Sequence, residues 1–274
     1  MKNVALVSPV LAEFGWIVFD IQSKVRYFFE QHKDCHKVIF ANPALKELFE
    51  LADEIIPVEL PENYTPCGRG AEEESGCNNS VFYEGLSSSS YDKYKPTEFL
   101  PIPYSNRFGN WGVGETHRKF YKSKIVEDEE YFTISCRSLN RGKVKNWSKE
   151  KYQELVDWII SEYNLPVYLV GLTKDNFVPD GVVVPETKDV ADHISLLSHS
   201  KLHFGGNTGT SHLATMCDCP LFSWGEGYDL LLRMASETNP HNTPVELIYQ
   251  ESWDPSVDLI KTKLYNFIDT IKIL

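Results

Sequence analysis

The feature that most constrains this chain is an alternation, played out twice along its 274 residues, of short apolar runs with stretches whose apolar residues recur at helical intervals. Val4 to Val7 is such a run, ending in Ser8-Pro9, and Trp16 to Phe29 follows with helical spacing. Lys37 to Ala41 reads as a second strand, Asn42-Pro43 opens a helix with proline at its first position, and Glu54 to Val58 reads as a third strand. The order β-α-β-α-β predicts a parallel sheet wound by right-handed crossovers. Between about 59 and 110 the pattern dissolves into Pro, Gly, Ser and acidic residues, a long loop or insertion of the kind that usually carries function.

A second series starts at Tyr131 to Ser135 and continues through a helix from Ser148 to Tyr163 and strands at Val167 to Val170 and Val182 to Val184. A helix from Val190 to Ser198, a strand from Lys201 to Phe204, a helix from Ser211 to Met216 and a strand from Pro220 to Ser223 complete it. Apolar residues in Ser256 to Ile271 mark a final amphipathic helix. We therefore expect an α/β fold of two Rossmann-like, doubly wound domains facing across a cleft, with ligands at the carboxyl ends of the strands. Residues 1–125 form the N-terminal domain and 126–255 the C-terminal domain. Residues 256–274 form a C-terminal helix free to cross back to the N-terminal domain.

Composition narrows the class. A hydrophobic fraction of 42% with 13% aromatics belongs to a globular chain. A formal net charge of -12 disfavours a broad nucleic-acid surface. No apolar run approaches the roughly 20 residues that span a bilayer, and the start shows no signal peptide, so a cytoplasmic location is expected. Six scattered cysteines lack the paired spacing of structural zinc sites and read as reduced thiols. His32, Cys35 and His36 read as a surface loop rather than a metal site, and Asp20 as a solvated charge on a helix face.

The strongest local signal is the strand-to-helix turn Gly205-Gly206-Asn207-Thr208-Gly209-Thr210-Ser211-His212. Glycines allow close backbone approach, and the helix that follows offers free N–H groups and a partial positive charge. Such a turn suits a diphosphate. The same residues also suit an ordinary strand end with His212 hydrogen-bonded in the interior. A second signal is Cys136-Arg137-Ser138 through Lys145-Asn146-Trp147-Ser148, where Ser148 is a good N-cap and Trp147 a packing residue.

Read with its flanks, Leu196 through Ala214 and on to Cys219-Pro220 resembles the heptosyltransferase-type glycosyltransferases, glycosyltransferase family 9-like proteins of the GT-B fold. The family turn reads D-[ST]-G-x-x-H-[LI]-A and grips the donor diphosphate. Thr208, Gly209 and His212 match it, and Asn207 departs from the usual acidic residue. Lys145 and Trp147 match the family's K-x-W element. The resemblance implies an inverting, metal-independent transfer of a sugar from a nucleotide-diphosphate donor to a hydroxyl acceptor such as a glycan, with no cofactor beyond the donor.

It implies donor contacts from Arg137, Lys145, Asn207, Thr208, Gly209 and His212, with Arg141 a further candidate. Thr173, Lys174 or Asp175 would reach the base or ribose, and Glu226 the ribose. Lys145 would also act in catalysis by stabilising the leaving diphosphate. The family carries an acidic residue on the loop after the first strand, which makes Glu13 the candidate base, against the alternative of a solvated or helix-capping residue. Three other functions stay open: a DNA-base glycosyltransferase using the basic run from Arg118 to Lys149, a non-catalytic nucleotide-sugar or glycan binder, and a sugar epimerase.

Overall fold

A computed structural model describes residues 3–58, 94–102, 119–120, 130–139, 143–236, 238–249 and 253–272, with 228–231 described as backbone alone. The chain divides into two compact units, Met1–Thr116 and His117–Leu274. The sequence pattern puts this boundary nine residues later, at 125.

In the first unit, β1 (Val4–Val7), β2 (His36–Ala41), β3 (Glu54–Pro57) and β4 (Glu98–Leu100) form a parallel sheet in the order β3-β2-β1-β4. β4 lies inside the 59–110 segment, expected to be a long loop or insertion, and was not among the expected strands. Its strand character comes from pairing along β1, with Leu6 opposite Phe99, and not from any periodicity of its own.

The first crossover is α1 (Phe14–Trp16), a π-helical turn over Ile17–Ile21, and α2 (Gln22–Gln31). Asp20 lies in the π turn and is buried, which corrects its reading as a solvated charge. Lys24, one turn on and also buried, brings its Nζ within 3.9 Å of the carboxylate, and a buried charge requires such a partner. Beyond β2, Pro43–Phe49 winds as a 3-10 helix, and the Asn42 side chain accepts from the Ala44 amide.

The second unit holds a six-stranded parallel sheet in the order β10-β9-β8-β5-β6-β7. Its strands are β5 (Phe132–Ser135), β6 (Val167–Leu169), β7 (Val182–Val183), β8 (His203–Gly206), β9 (Leu221–Trp224) and β10 (Val245–Ile248). Its helices are α3 (Lys149–Tyr163), α4 (Val190–Ser198), α5 (Gly209–Met216), α6 (Tyr228–Ala235) and α7 (Val257–Ile271). β10 and α6 add to the expected elements. The chain lays β5, β6 and β7 outward, then returns to place β8 on the other side of β5. That reversal is the topological switch point at which open α/β sheets bind ligands.

The core of this unit joins Ile134, Phe204 and Phe222 of the sheet to Leu155 and Ile159 of α3. The apolar face of α7, with Ile260, Leu264 and Phe267, belongs to the same core. The helix given freedom to cross to the other domain thus buries its face in its own unit, tied by Lys151–Asp254 and Lys261–Glu154 ion pairs.

Candidate functional site

The structure redraws the glycine-rich turn. Gly205 and Gly206 are the last residues of β8, so the strand runs two residues further than the apolar pattern indicated, and α5 begins two residues earlier, at Gly209. Gly205 serves the sheet: a Cβ placed there would lie 2.5 Å from Ser135 Oγ and 2.7 Å from the Ser135 carbonyl oxygen. The turn proper is Asn207-Thr208, with the Asn207 amide donating to the Trp224 carbonyl at 2.9 Å.

Thr208 occupies the N-cap of α5 with extended backbone (φ -139°, ψ 174°), yet its side chain caps no amide. The other helices of this unit that start at a serine or aspartate behave differently. Ser148 accepts from the Lys151 amide, Asp189 from Ala191 and Ser256 from Leu259. Thr208 Oγ1 lies instead 2.7 Å from Thr210 Oγ1, 3.4 Å from Ser211 Oγ and 3.5 Å from Ser135 Oγ. Ser211 donates to the Gly206 carbonyl at 3.0 Å.

His212 sits on the first full turn of α5 and is largely buried, with Nδ1 3.2 Å from Thr238 Oγ1. Its alternative reading as an interior histidine therefore describes its packing correctly. Thr238 is itself locked, since its carbonyl accepts from Thr215 Oγ1 at 2.7 Å. Beneath the turn, His203 is fully buried with Nδ1 3.1 Å from Thr133 Oγ1, and burial pushes its pKa down to about 3. The ring is neutral at any working pH. Burial likewise pushes the neighbouring Cys136 thiol up, so it stays protonated.

At the end of β5, Arg137 donates to Asn146 Oδ1 and pairs as an isolated bridge with Asn176. Asn146 closes the loop by accepting from the Leu139 amide at 3.2 Å and donating to its carbonyl at 2.7 Å. Lys145 stands exposed on the one-turn helix Lys143–Lys145, its Nζ 5.2 Å from the centre of the Trp253 ring. Trp147 packs in the core as expected, against Tyr152 and Trp224, and its Nε1 donates to the Pro255 carbonyl at 2.9 Å.

The loop after β6 starts at Gly171, where φ is +109° and a Cβ would come within 3.8 Å of Thr210 Cγ2. This carries Thr173–Asp175 past the start of α5, and the Asp175 carbonyl accepts from the Ser138 amide at 2.9 Å. The carboxyl ends of β5, β6 and β8 therefore bring Arg137, Lys145, the Thr173–Asp175 turn and Asn207 to His212 to one edge of the sheet.

Sequence reasoning missed Ser135, Thr238 and Trp253, none of which carries a local signal, whereas Gly171, a glycine directly after a strand, opens the segment from which Thr173, Lys174 and Asp175 were drawn. Glu226 is exposed just beyond β9, while Arg141 and Arg118 fall outside the described residues. Of the remaining basic run, Arg137 is engaged by Asn146, and Lys149 Nζ lies 5.4 Å from the centre of the Phe177 ring.

Glu13 belongs to the first unit, on the loop beyond β1. That loop is fixed by Ser8 N to Leu100 O at 3.1 Å, by Ile102 N to Ser8 Oγ at 2.6 Å and by Val10 N to Phe40 O at 2.9 Å. Glu13 is half-buried at the N-cap of α1, where its carbonyl accepts from Trp16 and Ile17 but its carboxylate caps neither. His36 lies at the other end of β2 between Asp53 (3.6 Å) and Glu54 (3.3 Å). Among the described residues no group of three or more His, Cys, Asp or Glu is arranged to hold a metal ion, and no helix is long and apolar enough to cross a membrane.

No protein-family model matches the chain, and comparison with curated proteins finds no match. Solved structures do match. The ADP-heptose lipopolysaccharide heptosyltransferase II of E. coli superposes with a TM-score of 0.63 at 12% identity, covering 98% of this chain and 99% of that one. A glycosyl transferase family 9 protein from Veillonella parvula gives 0.54 at 9% identity over 99% and 90% of the two chains. The E. coli heptosyltransferase WaaC with ADP gives 0.53 at 11% identity over 97% and 99%. The chain has the GT-B fold that these glycosyltransferases share, with likeness across both units.

Proposed function

We propose that this protein is an inverting, metal-independent glycosyltransferase that moves a sugar from a nucleotide-diphosphate donor to a hydroxyl of a glycan or similar acceptor. The observation that carries this is the uncapped start of α5 at the switch point. There the amides of Gly209, Thr210 and Ser211 open a helix whose threonine N-cap leaves them alone, in a sheet edge that also presents Lys145. Two structures of the similar WaaC protein were solved with ADP and with an ADP-heptose analogue, which supports a nucleoside diphosphate in this fold.

In this mechanism Glu13 takes the proton of the acceptor hydroxyl as its oxygen bonds to the anomeric carbon from the face opposite the diphosphate. The bond from that carbon to the diphosphate oxygen breaks, and its electron pair leaves with the phosphate. Lys145, His212 and the α5 amides stabilise the charge that develops there. Asn207 keeps its backbone amide on the Trp224 carbonyl, and its side-chain amide, standing where related turns have a carboxylate, donates to a phosphate oxygen. The Thr173–Asp175 turn serves the nucleoside.

A thermal-shift and hydrolysis screen against common nucleotide sugars tests the donor half. A donor at a hundredfold excess over its dissociation constant stabilises by about 2.7 kcal/mol, and silence toward every donor would overturn the assignment. Glu13→Gln tests the base: turnover should fall by about 10²-fold or more while the donor-induced shift persists. Unchanged turnover would remove Glu13 from the chemistry.

A further inference from the structure

We infer that Ser135, backed by the buried His203, is a positioning residue that turns the Thr208 hydroxyl off the amides of its own helix and so keeps the α5 amides free for the donor diphosphate. The inference rests on the proposed role of this turn. Its starting point is an anomaly of local chemistry. An extended threonine at an N-cap ordinarily accepts a hydrogen bond from the second or third amide of its helix, and Thr208 has that backbone without that bond.

What holds the side chain elsewhere is a file of buried polar groups running under β5 and β8. Ser200 Oγ donates to the Leu202 carbonyl at 2.9 Å, and Thr133 Oγ1 donates to Ser200 Oγ at 3.0 Å. With the Thr133 proton so committed, its oxygen accepts from Nδ1–H of His203 at 3.1 Å. The neutral ring then has a bare Nε2, which faces Ser135 Oγ at 3.5 Å and draws the serine proton inward. Ser135 is left with lone pairs toward Thr208 Oγ1, also at 3.5 Å. Thr208 turns its proton to Ser135 and receives that of Thr210 at 2.7 Å, which occupies the lone pair an amide would otherwise use.

Gly205 makes the file possible. The serine hydroxyl occupies the space that any side chain at 205 would fill, with only 2.5 Å between it and a Cβ built there. Two steps of 3.5 Å are long for hydrogen bonds, so the file orients Thr208 and does not clamp it. Without Ser135 Oγ as acceptor, Thr208 donates to Thr210 Oγ1 instead of accepting from it, which frees its lone pairs to cap an amide of its helix, and a ligand must then displace that cap.

The test is a double-mutant cycle on the full chain, titrated calorimetrically with ADP, GDP, UDP, CDP and dTDP, using the tightest binder. Ser135→Ala should weaken binding about fivefold, the size of one helix cap, without lowering the melting temperature. In a Thr208→Val background, where self-capping is impossible, the same Ser135→Ala change should alter affinity by less than twofold. Wild-type affinity in Ser135→Ala, or the same loss in both backgrounds, would overturn the inference. A wild-type chain that binds none of the five diphosphates would instead overturn the proposed donor site.

Discussion

Gly205 and Gly206 are adjacent, both buried and both in β8, yet the structure assigns them opposite tolerances to one added methyl. In Gly205→Ala the new Cβ would sit 2.5 Å from Ser135 Oγ and 2.7 Å from the Ser135 carbonyl oxygen. The hydroxyl can rotate away, but the carbonyl belongs to the paired strand β5 and cannot, so β8 and β5 must part at the centre of the sheet. Overpacking of this kind costs about 1–3 kcal/mol, and contact with backbone puts this case near the upper end. For a unit of this size about 3 kcal/mol lowers the melting temperature by roughly 6–12 °C. In Gly206→Ala the nearest atoms are Trp224 Nε1 at 3.8 Å and its carbonyl oxygen at 3.9 Å, ordinary contact distances. Loss of glycine's freedom in the unfolded chain then leaves stability unchanged or raised by about 0.4–1 kcal/mol. Calorimetric or circular-dichroism melts of the two variants beside wild type decide the matter. A Gly205→Ala protein melting within a degree of wild type, or a Gly206→Ala protein melting below it, would refute the steric account.

The buried imidazole of His203 gives stability a pH dependence of known sign. Its folded pKa of about 3 lies below the unfolded value, so its contribution is whole above about pH 6.5 and is lost as pH falls toward 3. Urea melts between pH 5.5 and 4 should show a slope larger by up to about 1.4 kcal/mol per pH unit in wild type than in His203→Gln, and equal slopes would contradict a neutral buried ring. Trp147→Phe leaves the Pro255 carbonyl with Lys151 Nζ at 3.3 Å as a remaining donor, which places its cost near the low end of the ~1–3 kcal/mol for an orphaned acceptor. Trp147→Ala should cost about 3–5 kcal/mol. Denaturant titration separates the two, and equal losses would show that the ring's packing with Tyr152 and Trp224 carries no weight.

The elements legible in the sequence were those whose order follows from local pattern. α3 could be placed to the residue because Ser148 caps it and its apolar positions keep helical spacing. β4 was not legible, because Glu98-Phe99-Leu100 is three residues long and becomes a strand only through its register with Ala5 to Val7. Asp20 misled because a carboxylate in a helix normally faces water, and its burial depends on the particular way Ile17–Ile21 widens into a π turn. At the site, Thr208, Gly209 and His212 carried a spacing that a reader can find. Ser135 and Thr238 did not, since their significance arises from strands and loops meeting across 73 and 26 residues of chain.

The bond from the Trp147 indole to the Pro255 carbonyl spans 108 residues, and α7 lies beyond it. While the chain is being made from its amino end, the loop carrying Lys145 emerges long before the segment that anchors it. The second unit therefore cannot reach its final packing until residues 257–271 have been made, and an incomplete product would lack part of the core that Val156 and Ile159 of α3 share with that helix. The last helix is thus a wall of the core that the earlier elements of the unit must wait for.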